Sequence, residues 1–170
     1  MVLAGCDRGP AVAGPQASDA PVAPLPGNAG LQVVAGAPAP GATLPDDILR
    51  GLSTDARVLD CSGGVVDGRT AFQADWVVAH PLDLDGDGRD DWLVEGRHRC
   101  LSGDDGADWW VYAGDAAGAR LLSAAGRARV VEVRQAAHGG FSDLRLEAAG
   151  HDVWLRYDGR TYSREVPATD

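Results

Sequence analysis

The chain has 170 residues, 45% of them hydrophobic, and a net charge of −10; all 15 of its basic residues are arginine. That length and apolar share suffice for one domain with a buried core. An acidic chain without a basic patch lacks the cations that displace phosphate counterions, which argues against nucleic acid and in favour of a divalent metal or a cationic protein as partner.

Residues 1–42 are mostly Ala, Gly, Pro and Val, with Asp7, Arg8 and Asp19 their only charges. Such a composition cannot bury enough surface to offset its ordering entropy, so a flexible linker is expected there and a folded domain over 43–170. Within the linker, Leu3, Ala4, Gly5 and Cys6 resemble a bacterial lipobox. The resemblance implies diacylglycerol on Cys6 and a periplasmic chain whose only membrane contact is that lipid anchor. Only Met1 and Val2 precede the box, so the charged and apolar regions of a signal peptide are missing and the start is read as internal or engineered. No apolar run reaches the ~18 residues of a spanning helix.

Pro45 to Leu52 reads as one short helix, with Pro near the first helical position, Asp46 and Asp47 in the first turn and Gly51 near the end. The apolar period then becomes two. Strands are predicted over 57–61, 71–80, 91–99, 108–113, 119–123, 128–135, 142–148, 152–157 and 161–166, separated by turns rich in Gly and Asp. Asp158 and Gly159 predict a two-residue type I′ hairpin, and Asp115 to Gly118 links another strand pair. About nine short strands behind one short N-terminal helix predict an antiparallel all-β domain, propeller-blade-like or a curled sheet or sandwich.

The Trp residues at 76, 92, 109, 110 and 154 fall mostly inside alternating strands and read as core. Trp109 and Trp110 are adjacent and must point to opposite strand faces. One of them is therefore expected at the surface, which makes residues 101–110 a candidate contact region.

The densest chemical signal lies between Asp83 and Asp91, where Asp83, Asp85, Asp87 and Asp91 occupy loop positions 1, 3, 5 and 9. Alternate carboxylates on a tight turn supply the oxygens that Ca2+ wants: Asp83, Asp85 and Asp87 directly, the Arg89 carbonyl at position 7, and Asp91 directly or through water. Gly88 permits the bend. Position 12 is Val94 rather than the bidentate Glu of an EF-hand, and apolar strands flank the loop. A carboxylate at position 9 followed by a strand resembles the FG-GAP calcium loops of integrin-type β-propeller repeats.

With Cys6 assigned to lipid, Cys61 and Cys100 remain; they read as a disulfide in an oxidising envelope and as buried free thiols in a cytosol. His98 and Cys100 share a strand face, yet no second pair has the spacing of a zinc site. No nucleophile elbow, zinc-protease helix motif or phosphate loop occurs, His80, His138 and His151 stand alone, and no residue is assigned a catalytic role.

Lipobox, Ala/Pro-rich tether, calcium loop, paired cysteines and short strands together are similar to the periplasmic immunity lipoproteins that accompany antibacterial type IV secretion systems. Those proteins look structurally like the type I (invertebrate-type) lysozyme inhibitors. The resemblance implies a membrane-anchored inhibitor that binds and blocks a peptidoglycan hydrolase effector. Lysozyme inhibitors of that kind often insert a loop containing Ser-Gly and a nearby Tyr; Ser102 and Gly103, followed by Asp104 and Asp105, are the nearest counterpart, Ser62 and Gly63 the next, and neither has the Tyr at the family spacing. The implied contact surface comprises Arg97, His98, Arg99, Ser102, Gly103, Asp104 and Trp109, whose donors suit the carboxylates of a lysozyme-like cleft. A structural or ligand-binding envelope lipoprotein with no enzyme target is the alternative.

Overall fold

Two five-stranded antiparallel sheets, packed face to face, make up most of what the computed structural model describes, residues 28–165 apart from 40 and 62. Cys6, Ser62 and most of the expected linker lie outside those residues. In chain order come strand β1 (Gln32–Val34), helices α1 (Asp46–Leu52) and α2 (Ala56–Leu59), and a small hairpin of β2 (Val65–Val66) and β3 (Arg69–Thr70). A 3-10 turn at Ala74–Trp76 precedes β4 (Val77–Leu82), β5 (Asp91–Gly96), β6 (Ser102–Gly103) and β7 (Gly106–Asp115). The remaining strands are β8 (Gly118–Ala128), β9 (Val130–His138), β10 (Phe141–Ala148), β11 (His151–Tyr157) and β12 (Tyr162–Glu165).

The front sheet runs β4-β5-β7-β6, with β8 also paired to β7; the back sheet runs β1-β9-β10-β11-β12. Alternation places Leu93, Trp109, Val111 and Leu122 of the front sheet against Val131, Val133, Leu144, Leu146 and Leu155 of the back sheet, and this shared layer is the main core. The all-β expectation thus holds in its sandwich form.

Front-sheet strand β7 is buried at nine successive positions, from Gly106 to Gly114. Trp109 and Trp110 do point to opposite faces, but both are fully buried, which corrects the expectation that one of them is exposed. The reason is a third layer. Ile48 and Leu52 of α1 and Val58 of α2 pack with Trp110, Tyr112, Val94 and Leu101 in a second core on the outer face of the front sheet. The Trp110 indole N–H donates to Asp55 Oδ2 at 2.9 Å, so even its polar edge is satisfied there.

Several expected boundaries move. Residues 57–61, expected as a strand, are mostly helical because Asp55 caps α2, its Oδ1 accepting from Arg57 N at 2.9 Å. The strand expected over 71–80 begins only at Val77. Tyr157 pairs with Tyr162, so the last hairpin has a four-residue loop rather than a two-residue turn; Asp158 Oδ1 accepts from Arg160 N and Thr161 N and closes it. The turn after β7 is the expected short one, Asp115 pairing with Gly118.

The folded part also starts earlier than residue 43. Strand β1 pairs with β9 in the back sheet, through Gln32 to Glu132 and Val34 to Val130, although it lies inside the expected linker. Just beyond it, Gly36 N donates to Glu95 Oε1 of the front sheet at 2.7 Å, and Arg97 donates to the Ala37 carbonyl. Glu95 is fully buried, with His80 Nε2 at 2.9 Å and the Arg97 guanidinium at 2.9 Å from its carboxylate. The segment therefore staples one sheet to the other through a buried polar cluster. Glu95→Gln keeps the shape but removes the charge that Arg97 and Gly36 are bonded to, and it is expected to cost about 2 kcal/mol. Urea unfolding at neutral pH measures this; a midpoint equal to wild type would show that the staple contributes nothing.

Candidate metal centre

Leu82 pairs with Asp91 where β4 turns into β5, so residues 83–90 form the connecting loop. Two groups bolt this loop to the sandwich. Leu84, at loop position 2, is fully buried in the main core, and its carbonyl accepts from Ser142 N at 2.8 Å. Asp91, 1% exposed, accepts from Leu84 N at 2.7 Å and from Gly114 N at 2.9 Å. From the stapling segment, Asn28 Nδ2 adds a bond to the Asp83 carbonyl at 2.9 Å.

Inside the loop, the carboxylates order the backbone ahead of them. Asp83 accepts from Gly86 N at 2.6 Å and Gly88 N at 3.0 Å, and Asp85 accepts from Asp87 N at 3.1 Å. Gly86 and Gly88 have φ of 78° and 82°, the left-handed region where a Cβ is costly. Carboxylate oxygens of Asp83, Asp85 and Asp91 converge to within 4.8 Å of one another. One hard cation with oxygen distances of about 2.3–2.6 Å spans that separation, so the donors suit Ca2+ in chemistry and spacing, while three carboxylates leave part of its shell of about six to eight oxygens to backbone carbonyls or water.

Asp87 departs from the expected set. Its Oδ1 accepts from Arg89 N at 2.8 Å and its Oδ2 pairs with the Arg89 guanidinium at 2.6 Å, which turns the carboxylate onto Arg89 and away from the other three. Arg89, expected to offer its carbonyl, engages Asp87 through its N–H groups.

The electrostatics are those of an acidic cluster held partly out of water. Burial pushes the Asp91 carboxyl up to about 6, with the Asp85 and Asp83 carboxylates adding to the shift and the N–H groups of Gly114 and Leu84 opposing it. Burial is also the first cause of the upward shift at Asp85, to which Asp87 and Asp83 contribute. The Gly114 contribution was not legible in the sequence, because β7 is brought to the loop by sheet pairing. A Cβ on Gly114 would lie 2.1 Å from the Asp90 carbonyl, so only glycine lets β7 approach this closely.

The disulfide expected in an oxidising envelope is present. Cys61 and Cys100 form a disulfide with Cα atoms 5.6 Å apart. His98 Nδ1 lies 2.8 Å from Cys100 Sγ, but both sulfurs are committed to the bridge. The His98 ring stacks on Trp76, centroids 4.0 Å apart.

Of the expected partner surface, Trp109 is fully buried and offers no contact to a partner. Arg97 is spent on Glu95 and the Ala37 carbonyl. His98 is spent on Trp76 and the disulfide, and Ser102 Oγ donates to the carbonyls of Arg97 and His98 at 3.2 Å each. Arg99, Gly103 and Asp104 are exposed. Arg127 braces the loop from beneath through Asp108 at 2.9 Å, Asp105 at 3.4 Å and the Cys100 carbonyl at 3.1 Å. Half-buried donors thus shape this loop, and its exposed tip consists of those three residues with Asp105. No family model matches the chain, and no curated protein or solved structure matches it either.

Proposed function

We propose that the chain is a calcium-stabilised β-sandwich of the bacterial periplasm, held to a membrane by lipid on Cys6, that binds and blocks a peptidoglycan-cleaving, lysozyme-like enzyme. The observation that supports binding is the braced loop from Arg97 to Asp105, whose exposed tip of Arg99, Gly103 and Asp104 rides on a sheet covered on both faces and tied by a disulfide. A preorganised tip loses little entropy on docking. Arg99 supplies a guanidinium for a catalytic carboxylate, and the net charge of −10 steers the domain towards a cationic enzyme.

Inhibition of lysozyme-like hydrolases by the purified protein, with and without calcium, tests the proposal. Arg99→Ala and Gly103→Arg are each expected to weaken inhibition about tenfold or more, equivalent to ~1.4 kcal/mol. Gly103 accepts a side chain without strain in the free protein, since a Cβ there would meet its nearest neighbour, Asp105 Oδ1, at 3.4 Å. The association rate should fall as salt rises. Failure of the wild-type protein to bind any peptidoglycan hydrolase of its own bacterium would overturn the proposal.

A further inference from the structure

The outer face of the back sheet carries a cavity built by an irregularity in pairing. Between β9 and β10 the register moves from Val133 opposite Leu144 to Ala137 opposite Ser142, so residues 134–136 bow out across from Asp143. Bulges of this kind bend a strand and re-aim its side chains. Here the bowed strand and β11 enclose about 370 Å³ between Arg134, Gln135, Asp143, Trp154 and Arg156, with Gly30 at one side. That volume lies at the small end of ligand sites, ~300–1,000 Å³.

We propose that this cavity binds a neutral saccharide. Its lining sets fixed donors beside fixed acceptors around one aromatic ring. Trp154 is half-buried, with the Arg134 guanidinium carbon 5.4 Å from its ring centroid. Asp143, 4% exposed, pairs with His138 Nδ1 at 2.7 Å and lies 3.7 Å from Arg156 Nε. Arg156 reaches Glu165 at 2.9 Å on its other side, and Arg134 pairs with Glu132, which Arg145 also holds at 2.7 Å.

These pairings decide the class of ligand. Each guanidinium bordering the cavity already faces a carboxylate, so no surplus positive charge awaits an anion, and each carboxylate already faces a cation. A sugar hydroxyl donates one hydrogen bond and accepts others, so it can bridge a guanidinium and a carboxylate without disturbing their balance. The C–H face of a pyranose is apolar and suits the part of the Trp154 indole that the Arg134 guanidinium does not cover. The ion pairs bias the half-exposed polar arms towards one arrangement, which lessens the side-chain freedom lost on binding. The proposal rests on neither the calcium reading nor the enzyme partner, although the cavity adjoins the acidic loop, since Ser142, next to Asp143, donates to the Leu84 carbonyl.

The test is a titration of the intact 15N-labelled protein with cellobiose, maltose and N,N′-diacetylchitobiose, with inorganic phosphate as the anion control. At least one disaccharide should shift the amides of residues 134–136 and the Trp154 indole N–H in a saturable manner. Trp154→Ala should weaken that binding at least about tenfold, whereas Trp154→Phe, which keeps an aromatic face, should retain most of it. Asp143→Asn, nearly isosteric, should weaken binding while leaving the rest of the spectrum in place. Absence of saturable shifts with all the sugars, binding of phosphate alone, or equal binding by Trp154→Ala would each overturn the proposal.

Discussion

Chelating calcium from the purified protein is expected to lower its melting temperature by more than about 10 °C, and added calcium should restore it. Asp83, Asp85 and Asp91 lie within 4.8 Å of one another only because the folded loop holds them there, so an ion bound to them binds the native state and not the unfolded chain. At a thousandfold excess over Kd such an ion stabilises by ~4 kcal/mol. Magnesium, which demands a small octahedral shell, should not substitute at equal concentration. Asp85→Ala should reproduce the chelator effect. Asp87→Ala should have a smaller one, since that carboxylate is turned onto Arg89. Identical melting with and without chelator would remove the metal reading.

The same site sets a pH dependence with a definite sign. Burial raises the Asp91 carboxyl from 3.8 to about 6, so the metal-free folded protein binds a proton more tightly than the unfolded chain. Stability from this group is fully present below about pH 4 and is lost as pH rises through about 6. Calcium reverses the requirement, because it needs the ionised form. The gain in melting temperature on adding calcium should therefore grow between about pH 5 and 7. A gain that is flat across this range would exclude Asp91 as a ligand.

The turn geometry of the acidic loop was legible because its information is local: carboxylates and glycines at fixed offsets form their turns by bonding N–H groups two to five residues ahead. The strands from Gly106 onward were legible for the same reason, through alternation and turn residues. What was illegible depends on distant partners. Strand β1 has only three residues, and the unpaired edge of β9, about a hundred positions later, makes it a strand. Nothing near Glu95 announces His80, Arg97 and Gly36 as its partners, which sheet pairing and the stapling segment assemble. The burial of both Trp residues was illegible because an isolated strand has two faces to fill, while the cover over Trp110 comes from Ile48, Leu52 and Val58, spaced along a segment with its own apolar stripe. That stripe was the available signal. An amphipathic helix ahead of a doubly apolar strand needs a surface to cover, and the strand needs a cover.

Replacing Cys61 and Cys100 together by Ser is expected to cost about 4 kcal/mol, the chain-entropy value for a closed loop of this length, with the bridged residues 39 positions apart. The loss should also be uneven across the molecule. Cys61 follows α2, and Cys100 lies in the turn after β5, so the bridge is a covalent tie between the helical cover and the front sheet. Without it, the cover is held by the burial of Ile48, Leu52 and Val58, by the Trp110–Asp55 bond, and by an Arg57 bond to the Ala124 carbonyl at 2.9 Å. The sandwich core between the sheets keeps all its contacts. Amides of residues 46–61 should therefore exchange with solvent by a local opening in the double-Ser protein, while those of β9, β10 and β11 exchange only on global unfolding. Reduction of the wild-type protein with a dithiol should give the same pattern. Opening the bridge should expose Trp110 before Trp109, because Trp110 faces the helical layer and Trp109 the sandwich core. Equal stability of the two proteins, or uniform loss of exchange protection across both sheets and the helices, would show that the bridge does not hold the cover in place.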